Sequence, residues 1–151
     1  MNLKALIGSG DKIVVAMLPF LIVGLVLNVA YPSVFEVGGP APALRAISIV
    51  ALVVGVAIWI WSIVLILTQA RRGELITGGP FAFVKHPIYT AVALLVIPAV
   101  GFLLDSWLGI VIGAVMYVAS RRYAPAEEAI LARTFGPAWD EYAAGVKVPW
   151  L

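Results

Sequence analysis

ALRAISIVALVVGVAIWIWSIVLILT, Ala43 to Thr68, is the stretch whose reading decides the fold. Its one charged side chain is Arg45, near its start. As a helix rising about 1.5 Å per residue it would overrun a hydrocarbon core of roughly 30 Å, so it should tilt or protrude. The whole chain has the same character. Of its 151 residues 63 % are hydrophobic and 12 % charged, far too little polar surface to cover a water-soluble globule. The expectation is an all-α integral membrane protein: a single membrane domain, residues 1–151, with room for about four or five spanning helices of roughly 20 residues.

Outward from that run, Ile13 to Ala30 reads as a retained first span, longer than the apolar core of a signal peptide and followed by similar runs. Pro19 and Gly24 inside it are tolerable where neighbouring helices satisfy freed carbonyls. Tyr31 to Pro42 holds Pro32, Gly38, Gly39, Pro40 and Pro42 and reads as a loop with almost no helical option. Gln69 to Gly73 closes the second run with Arg71 and Arg72. Ile88 to Leu104 and Trp107 to Ala119 are each short for a span and separated only by Asp105 and Ser106, so a tight helical hairpin is expected. Pro98 should kink its first arm. Gly109 and Gly113 give the second a small-residue face for close helix contact.

From Ser120 onward charge returns with Arg121, Arg122, Glu127, Glu128, Arg133, Asp140, Glu141 and Lys147. Pro125 to Phe135 reads as a helix with proline in its first turn, ended by Gly136 and Pro137. The tail is expected to be a C-terminal helical cap at the interface or in solvent, with Trp139, Tyr142 and Trp150 as interface aromatics. Four spans put Lys4, Lys12, Arg71, Arg72, Lys85, Arg121, Arg122, Arg133 and Lys147 on one side and Arg45 alone on the other. By the positive-inside rule that side, with the N-terminus, the polar stretch and the C-terminus, is cytoplasmic. The Ala-, Val-, Gly- and Arg-rich composition is in keeping with a bacterial inner membrane. The net charge is only +2 and the basic residues flank apolar runs, which argues orientation and no nucleic-acid partner.

The polar island TGGPFAFVKHPIY, Thr77 to Tyr89, holds the only histidine, His86. Four spans bring it to the same face as the tail, where Lys85, His86, Tyr89, Arg121, Arg122, Glu127 and Glu128 would meet beside the bilayer. His86 precedes a proline and stands at the start of the third apolar helix, where an anion would meet the helix dipole. From composition alone it reads first as an interfacial histidine at a cap, Lys85 as a charge anchor, and the glutamates as complements to a helix dipole. Adjacent on a helix, Glu127 and Glu128 point about 100° apart, so one can face a cleft while the other faces water. Gly78 and Gly79 would let backbone approach a ligand. With no cysteine and one histidine, a catalytic metal is not expected.

The ordered set GGPFAFVKHPIYT (78–90), a hairpin, and EEAILARTFGPAWDEYAAGVKVPWL (127–151) resembles the catalytic half of the isoprenylcysteine carboxyl methyltransferase and phospholipid methyltransferase superfamily. That family shows Gly-Pro-Tyr, Arg-His-Pro-x-Tyr, a hairpin, Glu-Glu-x-x-Leu, Phe-Gly-x-x-Tyr-x-x-Tyr and a final Val-Pro. Lys85 here stands for the family arginine, and Phe81 and Trp139 stand for tyrosines. The resemblance covers residues 77–151 and implies an S-adenosylmethionine-dependent membrane methyltransferase acting on a lipophilic acceptor: a phospholipid amine, an isoprenoid carboxylate or a thiol. It implies cofactor contacts from Gly79, Lys85, His86, Pro87, Tyr89, Glu127 and Glu128. Lys85 and His86 would face the cofactor's carboxylate and one glutamate its ammonium. Catalytic roles would fall to His86, Arg122 and Glu127. A nicotinamide-dependent membrane reductase and a non-enzymatic membrane assembly protein are the alternatives.

Overall fold

The structure, a computed structural model, describes residues 10–39, 41–69 and 72–148. The elements are α1 (Gly10–Ala30), α2 (Pro32–Phe35), α3 (Pro42–Gln69), a 3-10 turn (Gly79–Ala82), α4 (Pro87–Leu103), α5 (Leu108–Phe135) and α6 (Pro137–Gly145). Among the described residues there is no strand. α1 and α3 are long and apolar enough to cross a membrane, and α4 is a shorter apolar helix.

The longer of these two, α3, is packed inside out. α3 buries Ser48 (2 % exposed), Gly55 and Ser62 (0 %), while Ile47 and Val50 stand 65 % and 62 % exposed. The core helix of a water-soluble protein would reverse this order. Small residues turned inward and branched apolar ones turned outward are what helix packing in lipid selects. Ser62 is satisfied locally, its hydroxyl donating to the Ile58 carbonyl at 2.7 Å. α1 also exposes Val15, Phe20, Val26 and Val29 and buries Gly24, but near its start it turns Ile13 into the core.

The four long elements lie in a row, α1 against α5, α5 against α4, α4 against α3, and a glycine sits at each seam. Gly24 meets Ile112, and Gly55 meets Leu95 and Val96. At the α4–α5 seam Gly101 and Gly109 touch backbone to backbone: a side-chain carbon added at Gly101 would lie 2.6 Å from the Gly109 Cα. The carbonyl of Ala93 occupies the space a side chain at Gly113 would need. The expected hairpin is therefore present, and its glycines serve that contact.

The expected kink takes the form of a π turn. Over Val92–Val96 the ladder widens so that the Ile97 N–H donates to the Val92 carbonyl. Pro98 has no N–H for the next bond, which leaves the Ala93 carbonyl facing Gly113. At the turn Asp105 has a positive φ of 57°. Its Oδ1 accepts from the backbone N–H groups of Val37 (3.2 Å) and Gly39 (3.0 Å). The Ser106 hydroxyl donates to Asn28 Oδ1 at 2.8 Å. These bonds hold the end of α1 and the loop leading into α3 to the hairpin tip.

Two boundaries differ from the sequence reading. Residues 31–42 include one helical turn, Pro32–Phe35, because a proline at the first helical position starts a turn as readily as it breaks one. Trp107 completes it, its indole N–H donating to the Val34 carbonyl and its backbone N–H to that of Phe35, both at 3.0 Å. The second hairpin arm is not short, and no helix starts at Pro125. α5 runs unbroken from Leu108 to Phe135 with Pro125 inside it. Pro125 removes the donor that the Arg121 carbonyl would receive, but both residues are exposed and the flanking Ala, Glu and Leu residues favour helix. The cap is thus the last turns of α5 together with α6. Gly136, at φ 54°, makes the break between them, as its sequence position suggests.

Candidate functional site

The start of α1, the end of α3, the start of α4 and the end of α5 converge at the end of the row opposite the hairpin tip. Lys12, Arg72, Lys85, Arg133 and Lys147 belong to that end and Arg45 to the other; Lys4 and Arg71 lie outside the described residues. Beneath the bundle core formed by Ile13, Ala93, Met116 and Ala119, a cavity of about 510 Å³ opens between α3 and α5.

His86 is the N-cap residue of α4, with Pro87, almost fully buried, as the first helical residue. The pre-proline position keeps His86 out of helical geometry and aims it away from the axis. Its ring stacks on that of Tyr89, centroids 5.8 Å apart and planes 17° from parallel. Across the gap Glu128 takes both neighbouring donors: Lys85 Nζ donates to Oε2 at 2.6 Å and His86 Nε2 donates to Oε1 at 3.1 Å. The hydrogen bond from His86, with Lys85 beside it, holds the Glu128 carboxyl at about 2 against the opposing effect of burial. Glu128 is therefore ionised at neutral pH and acts only as an acceptor, so His86 presents an N–H to it from Nε2.

Glu127 points elsewhere. It lines the cavity with Lys85, His86, Pro87 and Tyr89, and the Tyr89 hydroxyl approaches its Oε2 at 3.4 Å, long for such a bond. Of the two adjacent carboxylates Glu127 is the one that lines the cavity, and Glu128 is bonded to Lys85 and His86. Their angular separation on α5 produces this division.

The tail closes the site. The Tyr142 hydroxyl donates to the Phe81 carbonyl at 2.9 Å, and the Val148 N–H donates to the Phe83 carbonyl at 2.9 Å. Burial, with the Glu128 charge nearby, pushes the Tyr142 hydroxyl up to about 12, so it stays a donor. Trp139 is buried and tilts against Tyr142 with ring centroids 5.4 Å apart. Both line the cavity. They are walls of the site and not the interface aromatics the sequence suggested; Trp150 lies outside the described residues. No local pattern could reveal this, because it depends on α6 folding back onto residues 81–83.

Two expected participants stand apart. Gly79 borders a second, apolar groove on the far side of Pro87, where a side chain at its φ of 61° would press on Trp61 and Leu65. Its glycine serves close packing. Arg122 is exposed on α5 and lines neither hollow. Conversely, Trp59, Ile63, Ile66 and Leu67 form the apolar wall of the Glu127 cavity. Their 4-3-1 spacing along α3 was the sequence signal for a shared face. Among the described residues no three His, Asp or Glu side chains converge as a metal ion would require.

Mixed charge at the cavity rim and an apolar wall running into α3 suit an amphiphilic or zwitterionic guest better than a simple anion. No protein-family model, curated protein or solved structure matches this chain.

Proposed function

We propose that the protein is an integral membrane, S-adenosylmethionine-dependent methyltransferase acting on a lipophilic acceptor. The observation that carries this reading is the convergence of Lys85, His86 and Tyr89 with Glu127 and Glu128 over one cavity whose opposite wall is the apolar face of α3. Those residues come from the two segments on which the family resemblance rests.

In this reading α1, α3 and the α4–α5 hairpin cross the bilayer, with the His86 end in the cytoplasm. The inside-out packing and the basic residues at that end support it.

S-adenosylmethionine supplies an electrophilic methyl on a sulfonium and presents an ammonium and a carboxylate. The donor set fits these groups. Glu127 is the cavity-lining partner for the ammonium. Lys85, with two N–H bonds left after Glu128, is the partner for the carboxylate, aided by the helix start. Glu128 fixes Lys85 and His86 in place. Trp139 and Tyr142 exclude water from the rim, and α3 receives the acceptor's apolar part.

Positioning two reactants in this way accounts for most of the acceleration expected of a displacement reaction. A carboxylate acceptor needs no base. An amine or thiol acceptor must also lose a proton, and His86 is the cavity-lining side chain suited to take it.

Incubation of the protein in lipid nanodiscs with S-adenosylmethionine tritiated on the methyl group, followed by organic extraction, tests the activity. Label should enter the lipid phase when bacterial lipid extract is present and should stay near background with His86→Ala. Label confined to the aqueous phase across phospholipid, isoprenoid-acid and thiol acceptors would count against it.

A further inference from the structure

The second groove holds a feature that the proposed reaction does not use. It has a volume of about 550 Å³ and lies between α3 and α4, lined by Ile58, Trp61, Leu94 and Leu95 and roofed by Phe83. Its polar side-chain lining is limited to Thr90.

It faces away from the Glu127 cavity, with Pro87 as the shared wall. Trp61 and Leu94 are 55 % and 43 % exposed, so the groove opens outward along the helices. At its mouth Phe83 is also exposed, and Lys147 Nζ sits 4.5 Å above the Phe83 ring. Lys147 is held there because the neighbouring Val148 N–H is bonded to the Phe83 carbonyl. Among the described residues Lys147 forms no ion pair.

An apolar furrow parallel to membrane-crossing helices, capped at the cytoplasmic end by one fixed cation, has the polarity of a single lipid. The geometry points to an anionic phospholipid as its occupant, one acyl chain between Trp61 and Leu94 and the phosphate on Lys147. Charge complementarity selects this class: a zwitterionic lipid presents its own cation near Lys147, and a cation near the headgroup favours net negative charge. A free phosphate would gain nothing from the groove. The inference rests on the membrane reading but not on methyl transfer.

The test is lipid titration of the detergent-solubilised full chain, read by thermal unfolding and by native mass spectrometry. Phosphatidylglycerol is compared with phosphatidylcholine of the same chains and with inorganic phosphate. Phosphatidylglycerol should raise the unfolding midpoint, remain bound as one lipid per chain and be preferred over phosphatidylcholine. Phosphate should do nothing.

Lys147→Gln should lower that preference roughly fivefold, and Lys147→Glu should lower it further. Lys147 is exposed, so neither variant threatens folding. Leu94→Trp, which fills the groove, should abolish retention of both lipids. S-adenosylmethionine binding should be unchanged in the Lys147 variants, which separates failure here from failure of the enzymatic reading.

Equal retention of the two lipids, an effect of phosphate matching that of lipid, or a preference that survives Lys147→Glu would overturn the proposal. So would a dimer that Leu94→Trp dissociates, since the groove would then be a self-association face. Solubility of the chain in buffer without detergent would overturn the membrane premise itself.

Discussion

Lys85 and Glu128 meet at 2.6 Å, although 43 residues separate them in sequence. This contact ties the polar island before α4 to the far part of α5, and His86 bonds to the other oxygen of the same carboxylate. Removing Glu128 should therefore act on the fold and on the site together. Glu128→Gln is expected to lower stability by about 1–3 kcal/mol, the cost of weakening hydrogen bonds to charged groups. It should also weaken S-adenosylmethionine binding through the lost placement of Lys85. Thermal unfolding in detergent and a binding isotherm on the same sample check both effects.

Glu127 should behave differently. It lines the cavity, with the Tyr89 hydroxyl 3.4 Å away, and stands outside the Lys85–Glu128–His86 cluster. Glu127→Gln should cost about tenfold or more in cofactor affinity while moving the unfolding midpoint less than Glu128→Gln does. A larger loss of affinity in the Glu128 variant at unchanged stability would reverse the assigned roles.

Acid should loosen the cluster. The Glu128 carboxyl sits at about 2 in the folded chain against an ordinary 4.5. A depressed folded-state value gives stability that is complete above the unfolded value and lost as pH falls through the folded one. The loss should thus spread from about pH 4.5 down to about pH 2. The unaltered protein should lose stability over that window, and Glu128→Gln should lose less. Unfolding midpoints measured at stepped pH read the difference directly.

Tyr142 gives the opposite sign. Its hydroxyl is raised from 10.0 to about 12, so the strap between α6 and residues 81–83 is intact below pH 10 and weakens as pH climbs toward 12. Tyr142→Phe should remove that alkaline step and cost about 1 kcal/mol at neutral pH, by orphaning the Phe81 carbonyl. Ultraviolet titration of tyrosinate, paired with unfolding midpoints, follows both.

The hairpin seam is the least forgiving place in the fold. A side chain at Gly101 or Gly109 would enter the opposing backbone at 2.6–2.9 Å. Neither helix can yield locally there. Gly101→Val or Gly109→Val should cost about 3 kcal/mol or more. Loss of a monodisperse peak in size-exclusion chromatography is the expected readout.

Much of this was written in local patterns. The runs that became α1 and α3 carry their own length signal, Asp105 and Ser106 mark the hairpin tip, and Pro87 fixes His86 as a cap. The end of α5 was obscured because Arg121, Arg122 and Pro125 are the residues that close a span, yet they sit on an exposed side where a helix tolerates them. The division between Glu127 and Glu128 needs the rotational phase of α5 against α4, which no single segment contains. The burial of Trp139 and Tyr142 and the exclusion of Gly79 from the cavity depend on chain that returns from a distance.

The central claim is a site for S-adenosylmethionine framed by Lys85, His86 and Glu127, and isothermal titration in lipid nanodiscs measures it most directly. One saturable site per chain is expected, strongly weakened by His86→Ala and Glu127→Gln and unchanged by Arg45→Ala at the opposite end. No saturable heat with S-adenosylmethionine in either detergent or lipid, with saturable binding of NADPH in its place, would contradict it.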